Sequence, residues 1–409
     1  MRNNEKTYVG LDIGTTKVAC LVGLHQEGAA APSIIGLGIA PMNGVKRGVI
    51  VDLEESVSAV TAAVEEAERM SGMAIDRATI SVDGAHIQSL NSRGVIAVSR
   101  ADHEITREDL ARVEEAAASV QLENNRQIIE ILPKYYTVDG QAHVNDPVGM
   151  SGVRLEGEIH IVTAAVPAIK NLSNVVFRAG ININQQIIVP LASARAVLSK
   201  RQRDLGAVLI DIGGETTGIA VFEDGQVSFT TILPIGSNHI TKDLVYGLKT
   251  NIDVAEKLKL KHAVARQPLI KDESTINLAA YGGSGIVKQS EVDTIISSRL
   301  TELFEMAATE LNKTEKEMLL GAGAVLTGGG AKMRQIDEFA KHILKIPVSI
   351  GAPQGLSGVI DRVNDPFLAC TVGLMLSDLE QPNQSGGRFS LDMSRVFGRV
   401  KSVFKTFLP

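Results

Sequence analysis

The sequence predicts an α/β protein whose fold is built twice over, and three observations carry that prediction. Residues 8–23 form two apolar, β-rich runs separated by Gly14-Thr15-Thr16-Lys17, the pattern of a hairpin. Residues 207–225 repeat the order: apolar strand, Asp211-Ile-Gly-Gly214, Thr216-Thr217, apolar strand. Copies about half a chain apart are too distant for a solenoid period and indicate a duplicated domain. Around the copies, strand-like runs alternate with stretches of helical periodicity.

Taken in order, the periodicity predicts a helix over 55–70, with Val57, Val60, Val64, Ala67 and Met70 on one face. Strands follow at 79–82 and 94–98, a helix at 107–120 and a strand at 158–165, a small α+β module inserted in the first half. The second half offers helices at 254–264 and 291–311 and a Gly-rich loop at 282–285. A strand at 324–327 runs into Gly328-Gly-Gly330, with a helix expected from about Ala331. Residues 381–387 are polar and contain Pro and Gly, the composition of a flexible linker.

Composition bounds the function. The chain has 409 residues with 44% hydrophobic and 22% charged, a soluble globular balance, and no run of 18 apolar residues to cross a bilayer. The N-terminal residues lack the basic-then-apolar order of a secretory signal. Two cysteines are too few for a disulfide framework or zinc cluster, and a reducing cytoplasm is expected. The net charge of −6 argues against nucleic acid as a partner. That charge is unevenly spread. From Arg388 onward five basic residues face one acid, a net +4, leaving −10 on the body. Four of the ten phenylalanines, Phe389, Phe397, Phe404 and Phe407, also lie there.

A strand, a Gly-rich turn and a second strand can hold a polyphosphate. Small residues let backbone N–H groups approach the oxygens, and Thr15, Thr16, Thr216 and Thr217 add hydroxyls. Asp12 and Asp211 each close a strand immediately before the turn, so facing each other they would hold a hydrated Mg²⁺. Lys17 adds a positive charge. Each copy alone also fits an ordinary hairpin with a capped turn, and Gly328-Gly-Gly330 fits either an adenosine platform at a helix N-terminus or a plain β-to-α turn. No P-loop, dinucleotide fingerprint or zinc-protease motif occurs.

These residues resemble the actin, heat-shock chaperone and sugar-kinase superfamily. Asp12-Ile-Gly-Thr-Thr-Lys17 looks like its first phosphate loop, Asp211-Ile-Gly-Gly-Glu-Thr-Thr217 its second and Thr327-Gly-Gly-Gly330 its adenosine loop, while the stretches at 190–194 and 369–373 look like its two connecting helices. More narrowly, the stretches at 89–94, 146–156 and 160–163 resemble the FtsA family of bacterial cell-division proteins, a likeness that spans essentially the whole chain.

The resemblance implies an actin-like two-lobed fold made of duplicated ribonuclease-H-like domains, with an inserted α+β subdomain and a C-terminal amphipathic helix. The expected divisions are a first lobe at 1–83, 163–205 and 355–380, the insertion at 84–162 and a second lobe at 206–354, with its small subdomain at about 233–305. A linker at 381–387 and a membrane-targeting helix at 388–409 follow. ATP and Mg²⁺ are the implied cofactors, with Gly14, Thr15, Thr16, Lys17, Gly213, Gly214, Thr216 and Thr217 on the phosphates and Asp12 and Asp211 on Mg²⁺ through water. Glu256, Lys259, Gly328, Gly329 and Gly330 would meet the adenosine, although Glu256 and Lys259 also fit a solvated helix face. Arg299 and Glu302 resemble the surface that takes the C-terminal tail of FtsZ; alternatively they are an i,i+3 ion pair.

Three departures from the family pattern stand out. Glu215 takes a glycine's place in the second loop, where it would repel a triphosphate unless it points out. Gly218 replaces an aspartate. Val189 stands where relatives that hydrolyse ATP well carry a glutamate, and valine cannot orient a water. ATP binding that sets assembly state, with at most weak hydrolysis, is therefore expected.

The tail accounts for the charge asymmetry. Met393, Val396, Phe397, Val400, Phe404 and Phe407 recur at helical spacing with Arg399, Lys401 and Lys405 beside them, and Phe389 precedes them. Such a helix lies in a lipid interface, each basic residue contributing on the order of 1 kcal/mol against anionic headgroups; packing on the protein's own core is the other possibility. The resulting expectation is a peripheral protein on the cytoplasmic face of the membrane at the division septum. It would self-polymerise, bind FtsZ, tether it to anionic lipid and recruit later divisome proteins through the insertion. The competing readings are a sugar or carboxylate kinase of the same superfold and a rod-shape or pilus-assembly filament protein.

Overall fold

The computed structural model describes residues 6–25, 31–266, 274–313, 320–358 and 363–379. The expected linker at 381–387 and membrane helix at 388–409, with Phe389 through Phe407, lie outside the described residues.

Alternation along the first hairpin sends side chains to both faces of a sheet. From strands Lys6–Ile13 and Lys17–His25, Leu11, Ile13, Val18 and Cys20 pack with Val60 and Ala63 of helix Leu53–Ser71 and with Leu172 and Val176 of helix Val166–Arg178. Ala19 and Leu21 face the other way, against Val372 and Met375 of helix Ala369–Leu379. Strand Ser33–Pro41 completes the antiparallel meander; Arg77–Val82 pairs parallel with the first strand and Asn182–Ile188 parallel with that. Helix Leu53–Ser71 starts where Asp52 accepts the Glu55 N–H, and it ends at Gly72, whose φ of 69° suits glycine.

The second sheet repeats this plan. Strands Ala207–Ile212, Thr217–Glu223 and Gln226–Leu233 form an antiparallel meander, and Ala324–Thr327 and Val348–Ile350 extend it in parallel. Asp12 lies opposite Ala19 and Asp211 opposite Gly218, so both aspartates occupy the penultimate pair before their turns. Helices Val189–Val197 and Ala369–Leu379 run between the sheets: Ala194, Val197, Val372 and Met375 share one core with Leu21 of the first sheet and Leu209 and Phe222 of the second. The structure thus bears out the two-lobed duplicated α/β fold.

The inserted module is a four-stranded antiparallel sheet ordered Gln88–Ala97, Arg154–Ala165, Arg126–Val138, Gln141–Val144, with helix Arg107–Ala118 packed on it. Thr106 and Asp109 close that helix's N-terminus as a reciprocal capping box. The long strand Arg126–Val138 has no counterpart in the sequence reading. Pro133 interrupts its pattern, and the sheet accommodates it at a register shift opposite Ile159. A second difference concerns the third glycine cluster. Gly329–Lys332 forms a 3-10 turn, and the α-helix begins only at Ile336, after Gln335 adopts a left-handed φ of 62°.

Candidate nucleotide cleft

Between the lobes lies a cleft of about 710 Å³, walled by the two hairpin turns, the third glycine cluster and helix Ile252–His262. The loops face one another closely: a Cβ on Gly214 would come within 2.7 Å of the Thr16 methyl carbon. Gly14, Thr15, Thr16, Lys17, Gly213, Gly214, Thr216, Glu256, Lys259, Gly328, Gly329 and Gly330 all line it, with Asp12 and Asp211 at its base. Arg299 and Glu302 are not among its lining residues.

The acidic base of the cleft is buried, with Asp12 at 7% exposure and Asp211 at 6%. Ser193, from the connecting helix, donates its hydroxyl proton to Asp211. Burial pushes the Asp211 carboxyl up to about 7, Ser193 opposing and Asp12 and Asp83 adding to the rise. Asp83 is a third carboxylate in this cleft, immediately after strand Arg77–Val82. It accepts from Thr216 Oγ1 at 2.6 Å and from the Gly84 N–H at 2.7 Å, and burial pushes it up to about 6. Sequence reasoning passed over Asp83, although an aspartate closing a strand was the signal that had singled out Asp12 and Asp211. Among the described residues, no group of three His, Cys, Asp or Glu side chains is disposed to ligate a metal directly.

Lys17 is held rather than free. Its ammonium donates to the Phe367 carbonyl at 2.6 Å, lies 3.6 Å from the Phe367 ring centre and stands 3.8 Å from Asp12 Oδ2. Burial lowers its pKa, with Asp12 opposing. Thr15 Oγ1 is buried without a hydrogen-bond partner in the protein. Thr217 corrects the sequence reading: it is fully buried, donates to the Ile235 carbonyl at 2.7 Å and does not line the cleft. Thr216 and Thr217 are neighbours at the start of a strand, so their side chains diverge.

Along helix Ile252–His262, Lys259 Nζ donates to Thr241 Oγ1 at 2.8 Å and pairs with Glu256 at 2.8 Å, and Thr241 donates to Glu256 at 2.6 Å. Gly328 has φ 84°, and a Cβ there would run into Asp211 and the Ile212 backbone, so only glycine fits.

The three departures resolve differently. Glu215 points away from the cleft, accepting from the Arg47 N–H at 3.0 Å and pairing with Lys242. Gly218 fits because a Cβ would come within 2.9 Å of Pro190 Cδ. Val189 lines the cleft with an apolar side chain. Arg299 forks onto Asp243, at 2.6 and 2.8 Å, and also pairs with Glu302.

Two lobes duplicated about connecting helices, with glycine turns and strand-end aspartates meeting in one cleft, define the actin-like class of nucleotide-binding proteins. Solved structures share the fold. A PilM–PilN type IV pilus biogenesis complex matches with TM-score 0.65 and 13% identity, covering 91% of this chain and 99% of that one. ADP-bound MreB5 of Spiroplasma citri matches with TM-score 0.53 and 16% identity, covering 91% and 95%. Sequence narrows the class. A family model described as cell division protein FtsA matches residues 208–373, and one described as the SHS2 domain inserted in FtsA matches residues 84–163. The cell division protein FtsA of Pseudomonas aeruginosa is 36% identical over 97% of each chain, and that of Neisseria meningitidis 38% identical over 92% of this chain and 91% of the relative. The Escherichia coli protein is 32% identical over 91% and 90%. The chain belongs to the FtsA family of actin-like cell-division proteins.

Proposed function

We propose that the cleft binds Mg²⁺-ATP and that the bound state governs how this protein joins FtsZ to the cytoplasmic membrane. The observation that carries the nucleotide reading is Thr15. A hydroxyl buried without a partner in the protein, on a residue of the first glycine turn that lines the cleft, is a donor lacking an acceptor. A phosphate oxygen supplies one. Gly14, Thr15, Thr16, Gly213, Gly214 and Thr216 would hold the phosphates, and Lys17 would exchange the Phe367 carbonyl for them. Gly328 to Gly330, Glu256 and Lys259 would bound the adenosine. Bound magnesium would supply charge neutralisation between the phosphates and the carboxylates of Asp12 and Asp211, held through its waters. Val189 offers no base for water, so turnover is slow.

Arg299, already arranged around carboxylates, would exchange Asp243 and Glu302 for acidic groups of the FtsZ tail. The insertion would contact later divisome proteins, and copies of the chain would assemble into filaments. Residues 388–409 would attach the protein to anionic lipid at the septum. Among the described residues, no helix is long and apolar enough to cross a membrane. Titration calorimetry with ATP tests the nucleotide reading: saturable, Mg²⁺-dependent binding is expected, reduced at least about tenfold by Thr15→Val. Equal affinity in the variant, or no binding by the parent, contradicts it.

A further inference from the structure

The loop between the second lobe's first two strands touches the first lobe at two consecutive residues. Glu215 is 7% exposed, and its carboxylate accepts the Arg47 N–H at 3.0 Å while pairing with Lys242 of its own lobe. Thr216 then donates to Asp83 at 2.6 Å. The two contact points on the first lobe, the Arg47 donor and the Asp83 acceptor, are parts of one small structure. Arg47 and Gly48, with φ 49° and 76°, form the tight turn between Val45–Lys46 and Val49–Ile50, and the Gly48 Cα packs so closely on Asp83–Gly84 that a Cβ would come within 2.5 Å of the Gly84 nitrogen. In such a two-residue turn the first central N–H has no partner within the hairpin. Glu215 supplies that partner from the opposite lobe.

The geometry assigns to Glu215 the role of a latch: together with Thr216 it fastens the second lobe onto the turn at Arg47–Gly48 and closes the cleft before any nucleotide enters. Lys242 keeps the carboxylate charged and aimed, because a buried acid with no cation would take up a proton instead. Contacts across the cleft are thus made in this chain by protein groups alone at Glu215–Arg47 and Thr216–Asp83. The consequence for regulation rests on the nucleotide reading of the cleft: ligand then adds to an already fastened state and changes the lobe angle little. The latch itself does not rest on that reading.

Amide hydrogen exchange on the full chain without nucleotide separates the two. Glu215→Gly should speed exchange at residues 45–50 and 213–217 by about tenfold or more, the loss expected for a hydrogen bond to a charged group. Glu215→Gln, which keeps an acceptor for Arg47 but not the ion pair, should lie between. Lys242→Ala, whose substitution leaves the loop backbone alone, should also speed residues 45–50 and serves as the second variant should Glu215→Gly unfold. Exchange at 45–50 that is the same in the parent, Glu215→Gln and Lys242→Ala would overturn the latch. Calorimetry of the same proteins with Mg²⁺-ATP reads the other claim: absence of binding heat would count against the nucleotide reading while leaving the ligand-free exchange differences standing.

Discussion

Gly373 and Ala192 meet backbone to backbone where the two connecting helices cross, so closely that a methyl group on Gly373 would overlap the Ala192 carbonyl. This crossing joins the lobes, since the surrounding core draws on both sheets. Overpacking it forces the helices apart. Gly373→Ala should destabilise the protein by about 1–3 kcal/mol, or more because the clash is with backbone. Thermal unfolding should show a fall in Tm of several degrees, and an unchanged Tm would mean that the helices separate freely.

Ser193 sits on one of those helices and donates to Asp211. If Asp211 holds magnesium through water, its orientation depends on this bond. Ser193→Ala should weaken Mg²⁺-dependent ATP binding by about 10-fold, in the range found for outer partners of metal-binding groups, while Mg²⁺-free binding changes little. Calorimetry at two Mg²⁺ concentrations measures both.

His160 ties the insertion to the second lobe. Its Nδ1 lies 2.7 Å from Asn91 Oδ1 and its Nε2 3.0 Å from Thr230 Oγ1, so the Nδ1-protonated neutral ring donates to Asn91 and accepts from Thr230. Burial pushes the imidazole down to about 4, with Lys134 adding to the fall. The unfolded chain, near 6.5, therefore binds the extra proton first, and this stability is present above pH 6.5 and lost as pH falls toward 4. Between pH 7 and 4.5 the loss is roughly 2–3 kcal/mol. In His160→Gln that part of the pH slope in thermal melts should disappear.

How much of this was legible in the sequence follows from distance along the chain. Asp12 and Asp211 stood out because each carries its context within a few residues and the context recurs. Asp83 did not, because an aspartate before glycine also signals a turn and its partner Thr216 is 133 residues away. Both threonines of the second loop look alike in one dimension, yet the pleat sends Thr216 to the cleft and Thr217 into the core. The strand Arg126–Val138 was hidden by Pro133, which only a tertiary register shift accommodates. Whether Glu215 points toward the phosphates or away was not legible because its partners, Arg47 and Lys242, come from elsewhere in the fold.

The tail makes its own prediction. If residues 388–409 lie in the lipid interface, Phe397→Glu with Phe404→Glu should abolish co-sedimentation with anionic vesicles while ATP binding is retained. Undiminished pelleting would assign those phenylalanines to the protein's own core.

The most direct test of the whole reading is reconstitution: fluorescent FtsZ polymers, anionic vesicles and this protein with Mg²⁺-ATP. FtsZ should gather on the vesicles only when the protein is present, and should be lost from them with Arg299→Glu or with the double phenylalanine variant. FtsZ that stays in solution beside vesicles coated with this protein would contradict the account.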